Sequence, residues 1–334
     1  MSLLPRFAAL PVVVMSAVMS AASALPALRR VLGVATATGA LALGVASCGG
    51  GTSQVETFVP LRLITFGDEM SAFTADGKNY AVNGFATGTT TPDCKVLPIW
   101  TQVVANAYAF GFPECPVDTG EQKARSRATA GARAADLKTQ VQAQVAAGGF
   151  VDKDLVTVMI GTNDIRDLYL QSLAPTAPSK DALVEAAKER GVEIARQVNA
   201  MIDLGAKVIV ATIPDLGLSP WGIAKGATGA ALLSELTAAL NGRIRVNILN
   251  DGRYVGLVLG DELSQTAARV PAAYSLTNAS TAACAVAPPA CTTATLAPDA
   301  TADAWLWADT TWLATGGHRQ LGALAEARAR LNPF

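Results

Sequence analysis

The chain has 334 residues, of which 51% are hydrophobic and 16% are charged, and its formal net charge is −1 at pH 7. This composition predicts a well-packed globular core and excludes a chain that is disordered throughout. The first 47 residues contain three of the 26 basic residues and none of the 27 acidic ones, which leaves a formal net charge of −4 on the remainder. That charge provides no electrostatic footprint for nucleic acid, so we expect no nucleic-acid partner.

The N-terminal sequence is typical of an export signal. Arg29 and Arg30 precede an apolar run over residues 31–45, which at about 15 residues is short for a membrane span. Small residues then lead into Cys48, which three glycines follow. The pattern resembles the lipobox and flexible tether of a bacterial lipoprotein; the alternative is an ordinary signal peptide with an incidental cysteine.

This interpretation divides the chain into three parts. We expect a signal peptide over residues 1–47, a lipidated Cys48 with its tether over residues 48–55, and one domain over residues 56–334. The protein would be exported and held at a membrane of the cell envelope by the lipid on Cys48. Gly49 after the cysteine favours the bacterial outer membrane, by resemblance to lipoprotein sorting.

The other four cysteines fall into two close sets, each in loop-like sequence. Cys94 with Cys115 and Cys284 with Cys291 predict two local disulfides in an oxidising compartment, the second within an Ala-, Pro- and Thr-rich loop over residues 275–301. Four free buried thiols are the alternative. Because the chain has one His and no C-x-x-C, we expect no metal site, and no cofactor is expected either.

Short apolar segments alternate with helical patterns along the predicted domain. After each segment comes a Gly or Pro, and an Asp or Asn follows within two residues. This is typical of buried strands that lead into loops. Strands are predicted over 61–66, 155–160, 207–213 and 254–259, and helices near 97–109, 134–147, 181–203, 228–248 and 316–330. This alternation predicts a parallel sheet with helices on both faces, whose ligands bind beyond the carboxyl ends of the strands.

Four short blocks lie near these strand ends in a definite order: FGDEMS at 66–71, ATAGA at 128–132, GTND at 161–164 and DTTW at 309–312. In that order they resemble the motifs of the SGNH, or GDSL-type, ester hydrolases. The resemblance covers nearly the whole predicted domain. It implies a three-layer α/β/α sandwich with a mostly parallel, flavodoxin-like sheet of about five strands.

The resemblance also assigns a position in the active site to five residues. Glu69 stands where the family has its nucleophilic Ser, and Trp312 stands where it has its general-base His. Gly131 and Asn163 match the donors that stabilise the oxyanion, and Asp309 matches the residue that orients the His.

A Ser hydroxyl needs a base to remove its proton, so a chain without this Ser and His lacks the two groups that move the proton. We therefore expect a protein with impaired catalysis that acts by binding or as a structural component of the envelope. Glu69 is predicted to accept hydrogen bonds from Gly131 and Asn163 and so to fill the oxyanion site. Trp312 would close the acyl space or stack on a sugar or aromatic ligand.

The alternative is an active ester or acyl hydrolase of esterase, lipase or polysaccharide-deacetylase type with unusual chemistry. Glu69 could then act as general base on a water molecule, or Ser71 could be a displaced nucleophile. Against this, Ser71 is interpreted as a helix N-cap and His318 as a capping or surface residue. The ligand in either case would be an acyl ester or a carbohydrate.

Overall fold

Five parallel strands form the central sheet of the computed structural model, which describes residues 57–334. The predicted signal peptide, Cys48 and the tether lie outside the described residues. The strands in chain order are β1 (Arg62–Gly67), β2 (Gly84–Phe85), β3 (Pro92–Asp93), β4 (Ala124–Ser126), β5 (Asp154–Met159), β6 (Lys207–Ala211), β7 (Val255–Val258), β8 (Asn278–Ala282) and β9 (Trp305–Trp307). The main sheet has the order β4-β1-β5-β6-β7, and β2 with β3 and β8 with β9 form two small sheets.

If the five strands of the main sheet are numbered in chain order, their spatial order is 2-1-3-4-5, the order of flavodoxin-like folds. The predicted fold class is therefore confirmed. Residues of β5 are buried throughout, and those of β1 are buried after its first residue. Burial on both faces explains why these strands appear in the sequence as nearly continuous apolar runs rather than as alternating patterns.

Helices cover the sheet in two groups. They are α1 (Trp100–Asn106), α2 (Asp136–Ala146), α3 (Thr162–Gln171), α4 (Lys180–Asp203), α5 (Pro220–Ile223), α6 (Gly226–Asn247), α7 (Gly260–Arg269) and α8 (Thr315–Leu331). Helix α8 packs against α1 and α7, whereas α4 packs against α2, α3 and α6. No helix of the described residues is long and apolar enough to cross a membrane.

Three elements of this core are absent from the sequence prediction. Strand β4 has only three residues. Two residues separate the end of β5 from the start of α3, and one separates β7 from α7; a Gly at each of these places indicated a loop. Both predicted disulfides are confirmed: Cys94 with Cys115, and Cys284 with Cys291. The second lies in the segment between β8 and β9, where a long loop was predicted.

Candidate active site

The order of the strands brings three of the predicted site residues together. Because β1 lies between β4 and β5, the segments that follow these three parallel strands meet at one edge of the sheet. Glu69 follows β1, Gly131 follows β4 after a short loop, and Asn163 lies in the first turn of α3 after β5.

The turn that carries Glu69 depends on a tightly packed glycine. Gly67 has a φ of +146°, and a Cβ at this position would lie 2.1 Å from the carbonyl oxygen of Met159 on the neighbouring strand. The Gln140 side chain accepts from the Gly67 N–H at 2.9 Å and donates to its carbonyl oxygen at 2.8 Å. The backbone before Glu69 is thereby fixed on both sides, and Gln140 is a positioning residue that sequence reasoning missed.

Both carboxylate oxygens of Glu69 accept hydrogen bonds from the predicted oxyanion donors. The backbone N–H of Gly131 donates to Oε1 at 2.8 Å, and Nδ2 of Asn163 donates to Oε2 at 2.9 Å. Glu69 is 9% exposed, whereas Gly131 is exposed and has a φ of +77°. A carboxylate therefore occupies the position in which these donors would stabilise a developing negative charge.

The Asn163 side chain is held in the orientation that serves Glu69. Its Nδ2 also donates to the carbonyl oxygen of Ala132 at 3.1 Å, and its Oδ1 lies 3.4 Å from Nη1 of Arg166. A cation beside Oδ1 favours the orientation in which the amide nitrogen faces the carboxylate. Arg166 was not predicted as a site residue, although it lies three residues after Asn163 and so on the same face of a helix.

A second carboxyl group lies beside Glu69 and differs from it in its surroundings. Asp68 is fully buried, and its Oδ1 accepts from the Met70 N–H at 3.1 Å, while its Oδ2 has no hydrogen-bond partner among the described residues. Burial, and after it the negative charge of Glu69, raise the pKa of Asp68 well above its ordinary value. Both effects disfavour the charged form of Asp68 relative to an exposed carboxyl group.

The segment with Asp309 and Trp312 is organised by its own backbone. Oδ1 of Asp309 accepts from the N–H groups of Thr311 and Trp312, both at 2.7 Å. Burial raises the pKa of Asp309, against the effect of these two N–H groups and of Arg166. These hydrogen bonds stabilise a turn, a role different from that of orienting an imidazole.

Trp312 is buried, with 6% of its surface exposed, and lies beside Arg166. The Arg166 guanidinium carbon is 5.9 Å from the ring centroid of Trp312 and 5.9 Å from that of Trp221, which is partly exposed. Arg166 thus connects the Asn163 side chain to two indole rings. Trp221 was also not predicted as a site residue, since nothing in its local sequence resembles a motif.

The remaining Ser and His candidates are held inside the core by one residue. Nε1 of Trp100 donates to Oγ of Ser71 at 3.0 Å, and the Trp100 backbone N–H donates to Nδ1 of His318 at 3.3 Å. Ser71 and Trp100 are fully buried, and His318 is 1% exposed. Burial lowers the pKa of His318 to about 3, so the imidazole is neutral at pH 7.

The interpretation of Ser71 is therefore wrong, and that of His318 is right in its capping role but wrong in its surface position. Ser71 is not a helix N-cap, because it belongs to the turn after β1. His318 is not at the surface; instead it caps the first N–H of α1, a helix remote in sequence, while lying in the first turn of α8. Neither contact could be read from local sequence, because Trp100 is distant from both residues along the chain.

In the arrangement the Glu69 carboxylate accepts from both predicted oxyanion donors, and within residues 57–334 Ser71 and His318 are both buried. No group of three or more His, Cys, Asp or Glu side chains that could hold a metal ion occurs within residues 57–334. What the site offers chemically is a largely buried carboxylate, two N–H donors bonded to it, and a guanidinium 5.9 Å from the centroids of two indole rings.

Comparisons with known proteins identify the scaffold. The sequence profile of the family described as GDSL-like Lipase/Acylhydrolase matches residues 63–305, a span that ends before Asp309. No curated protein sequence matches the chain.

The chain is also similar to solved structures. One is a catalytic mutant of an acetylxylan esterase from Geobacillus stearothermophilus, with 14% identity, coverage of 82% of this chain and 95% of that one, and a TM-score of 0.42. Another is phospholipase A1 from Streptomyces albidoflavus, with 14% identity, coverage of 81% and 99%, and a TM-score of 0.40. A member of the lipolytic G-D-S-L family from Veillonella parvula has 9% identity, coverage of 79% and 95%, and a TM-score of 0.39. From its match to the family profile, the chain belongs to the GDSL-like lipase/acylhydrolase family, as its sequence blocks indicated.

Proposed function

We propose that this protein is an exported, lipid-anchored envelope member of the GDSL family that has lost ester hydrolysis and acts by binding a ligand or partner. The observation that carries the proposal is the pair of hydrogen bonds from Gly131 and Asn163 to the Glu69 carboxylate. An acyl substrate needs these donors for its tetrahedral intermediate, and each is worth roughly 3 to 4 kcal/mol in acyl-transfer enzymes. In this chain a resident anion occupies them.

The base side supports the same proposal. The indole at position 312 cannot accept a proton from a nucleophile, and Asp309 is engaged by two backbone N–H groups. The one His of the chain is buried against Trp100, where its neutral imidazole serves as a hydrogen-bond acceptor. We infer that the nucleophile and the base are both missing from the site, and that neither has moved to a nearby position.

The alternative of an active hydrolase has less support. Ser71 is fully buried, and its hydroxyl oxygen already accepts from the Trp100 indole, so a substrate cannot reach it without opening the core. Glu69 as general base would need a water molecule placed between it and the ester, while both of its oxygens already accept hydrogen bonds from the donors that the ester would use.

The half-buried groups beside the site favour a carbohydrate over an acyl chain as ligand. Trp221 is partly exposed, Arg166 offers hydrogen-bond donors, and the Glu69 carboxylate is bonded to the exposed Gly131. An aromatic face with polar groups at its edge suits a sugar ring, whereas a buried Trp312 leaves little apolar surface for an acyl chain.

Restoring the missing pair tests the loss of hydrolysis. We expect no hydrolysis of short-chain p-nitrophenyl esters and no labelling by a fluorophosphonate probe for the wild-type chain. The Glu69→Ser, Trp312→His double variant should gain probe labelling and measurable turnover, because the donors are then free and a nucleophile and base are present. The matched control is Glu69→Ala, Trp312→His, which frees the same donors without supplying a hydroxyl.

Hydrolysis by the wild-type chain well above background, if abolished by Asn163→Ala, would overturn the proposal. The envelope anchor has a separate test: metabolic labelling with a radioactive fatty acid should mark the wild-type chain but not Cys48→Ser. Equal labelling of the two chains would refute the anchor without bearing on the loss of hydrolysis.

A further inference from the structure

The end of the domain opposite the candidate site carries a group of exposed apolar side chains. Helices α2, α4, α6 and α8 finish where the parallel strands begin, so the strand starts and helix ends form one surface. The group, here called the amino-end face, is Leu61, Val151, Leu204, Val246, Leu249 and Leu331. Val246 is 71% exposed and Leu331 is 82% exposed, which is costly for large apolar side chains in water unless something covers them.

Contacts between the strand starts and helix ends join these positions into one surface. The Leu61 N–H donates to the carbonyl oxygen of Lys153, two residues after Val151. The Leu249 N–H donates to Oδ1 of Asn199 near the end of α4. After Leu331, Nδ2 of Asn332 donates to the carbonyl oxygens of Gly252 and Val255 at the start of β7.

The first described residues lie at the same face. Phe58, the second described residue, stacks edge-on against Phe334 with 5.4 Å between ring centroids. It lines a small cavity of about 190 Å³ with Asp152, Lys153 and Lys207, which lie beside the starts of β5 and β6. Nine residue steps separate Cys48 from Thr57, and an extended chain of that length spans only about 30 Å. A lipid on Cys48 therefore keeps this end of the domain close to the membrane.

Charged side chains lie among the apolar ones on this face. Lys153 and Lys207 make no ion pair among residues 57–334, and the exposed Asp152 and Asp203 carry the opposite sign. A face that exposes large apolar side chains among charged ones of both signs suits the interfacial region of a bilayer, where apolar side chains enter and charged ones stay with the headgroups.

We propose that the amino-end face lies on the bilayer surface and that the candidate site therefore points away from the membrane. The inference rests on the lipid anchor of the proposed function. A second copy of the chain would also cover apolar side chains, but it would not account for the short tether that begins at this face.

Depth-dependent quenching tests this orientation in the processed lipoprotein, reconstituted in phosphatidylcholine vesicles. Single-cysteine variants Leu331→Cys and Val246→Cys are labelled, without reductant, with an environment-sensitive fluorophore. The matched controls are Leu173→Cys, which is 61% exposed in the loop after α3, and Ile223→Cys, which is 48% exposed in α5 near the candidate site. Brominated phosphatidylcholine should quench the first pair at least about twofold more than the second.

Each other outcome overturns the proposal in a recognisable way. Flotation of the protein with vesicles but equal quenching at all four positions keeps the anchor and refutes the orientation. Energy transfer between labels at position 331 without lipid quenching assigns the face to a second copy of the chain. Failure of the protein to float with the vesicles removes the anchor, and with it the orientation, while leaving the proposed loss of hydrolysis intact.

Discussion

Two regions at the carboxyl edge of the sheet depart from the predicted family motifs, and the side chains concerned make different kinds of contact in each. The donor region comprises Gly67, Glu69, Gly131 and Asn163; the base segment comprises residues 309–318. In the donor region Glu69, at the predicted nucleophile position, accepts hydrogen bonds from Gly131 and Asn163. In the base segment Trp312 is buried, Asp309 bonds to its own backbone, and His318 packs into the core.

The difference indicates that the fold fixes the backbone groups of the site more strictly than its side chains. A backbone N–H such as that of Gly131 keeps its direction whatever chemistry follows, because the loop conformation fixes it. It then needs an acceptor, since an unsatisfied donor in a partly buried site costs about 1 to 3 kcal/mol. The side chains of the base segment are not fixed by the backbone in this way. They can therefore form turn and core contacts instead.

The largest expected effect tests the rigidity of the donor region. Gly67→Ala should lower the free energy of unfolding by about 4 kcal/mol, because the added Cβ would lie 2.1 Å from the Met159 carbonyl oxygen and the φ of +146° strains any other residue. Chemical denaturation measures this. Gly131→Ala is the matched control: φ is +77°, but no atom lies within 4 Å of the new Cβ, and the loss should be about 1 to 2 kcal/mol. Equal losses would contradict a specific packing requirement at Gly67.

The next effect concerns the base segment and its dependence on pH. The native pKa of His318 is lowered to about 3 from an ordinary value of 6.5, so between these values the unfolded chain binds a proton that the native one does not. The stability that His318 contributes is complete above pH 6.5 and falls by about 1.4 kcal/mol per pH unit below it. Relative to His318→Gln, the wild type should therefore lose about 2.3 kcal/mol between pH 6.5 and pH 4.5, because the full slope is reached only about one unit below 6.5.

A control with the opposite sign is available in α3. Burial raises the pKa of Asp164 to about 6, so the stability it contributes is present below its ordinary pKa and is lost as pH rises towards 6. Relative to Asp164→Asn, the wild type should gain stability as the pH is lowered. If His318→Gln followed the pH dependence of the wild type, the imidazole would have the same pKa in the native and unfolded chains, and its buried, neutral role at acidic pH would be wrong.

A smaller effect is expected at Glu69. Glu69→Gln places an NH₂ group against either the Gly131 N–H or the Asn163 amide, because both carboxylate oxygens are acceptors. The clash of donors should cost about 2 kcal/mol in the free energy of unfolding. Glu69→Ala is the control, since water can reach the exposed Gly131 and replace the carboxylate, and its cost should be lower. A harmless Glu69→Gln would show that the carboxylate does not hold both donors.

The sequence sufficed for the parts of the molecule that local pattern determines. Long apolar runs such as residues 155–160 indicated buried parallel strands, and the spacing of cysteines indicated both disulfides. The strand ends placed Glu69, Gly131 and Asn163 at one edge of the sheet because parallel strands share a direction. These predictions needed only periodicity, strand direction and the family resemblance.

The rest depended on contacts between distant parts of the chain. Strand β4 is too short to give a pattern, and its pairing with β1 becomes visible only once the sheet forms. Trp100 determines the surroundings of both Ser71 and His318, which lie 29 residues before it and 218 residues after it. Arg166 would have been found with α3, since a helix places it one turn after Asn163, but the Gly161 signal favoured a loop.

The smallest expected effect separates the two regions most directly, because it repeats the acid-to-amide change on the other side of the site. Asp309 accepts both of its hydrogen bonds at Oδ1, so Asp309→Asn can keep this acceptor and turn its NH₂ group away. The loss of charge weakens the two hydrogen bonds. It also removes the cost of burying a carboxylate, and that cost is what raises the pKa of Asp309. We expect a change within about 0.5 kcal/mol at pH 7, measured by chemical denaturation beside Glu69→Gln. Because the raised pKa means that Asp309 contributes less stability as pH rises, the variant should gain relative to the wild type from pH 4 to pH 7, roughly in proportion to the shift. A loss as large as that of Glu69→Gln would mean that the Asp309 carboxylate has a second partner essential to the fold, and the base segment would then be as constrained as the donor region.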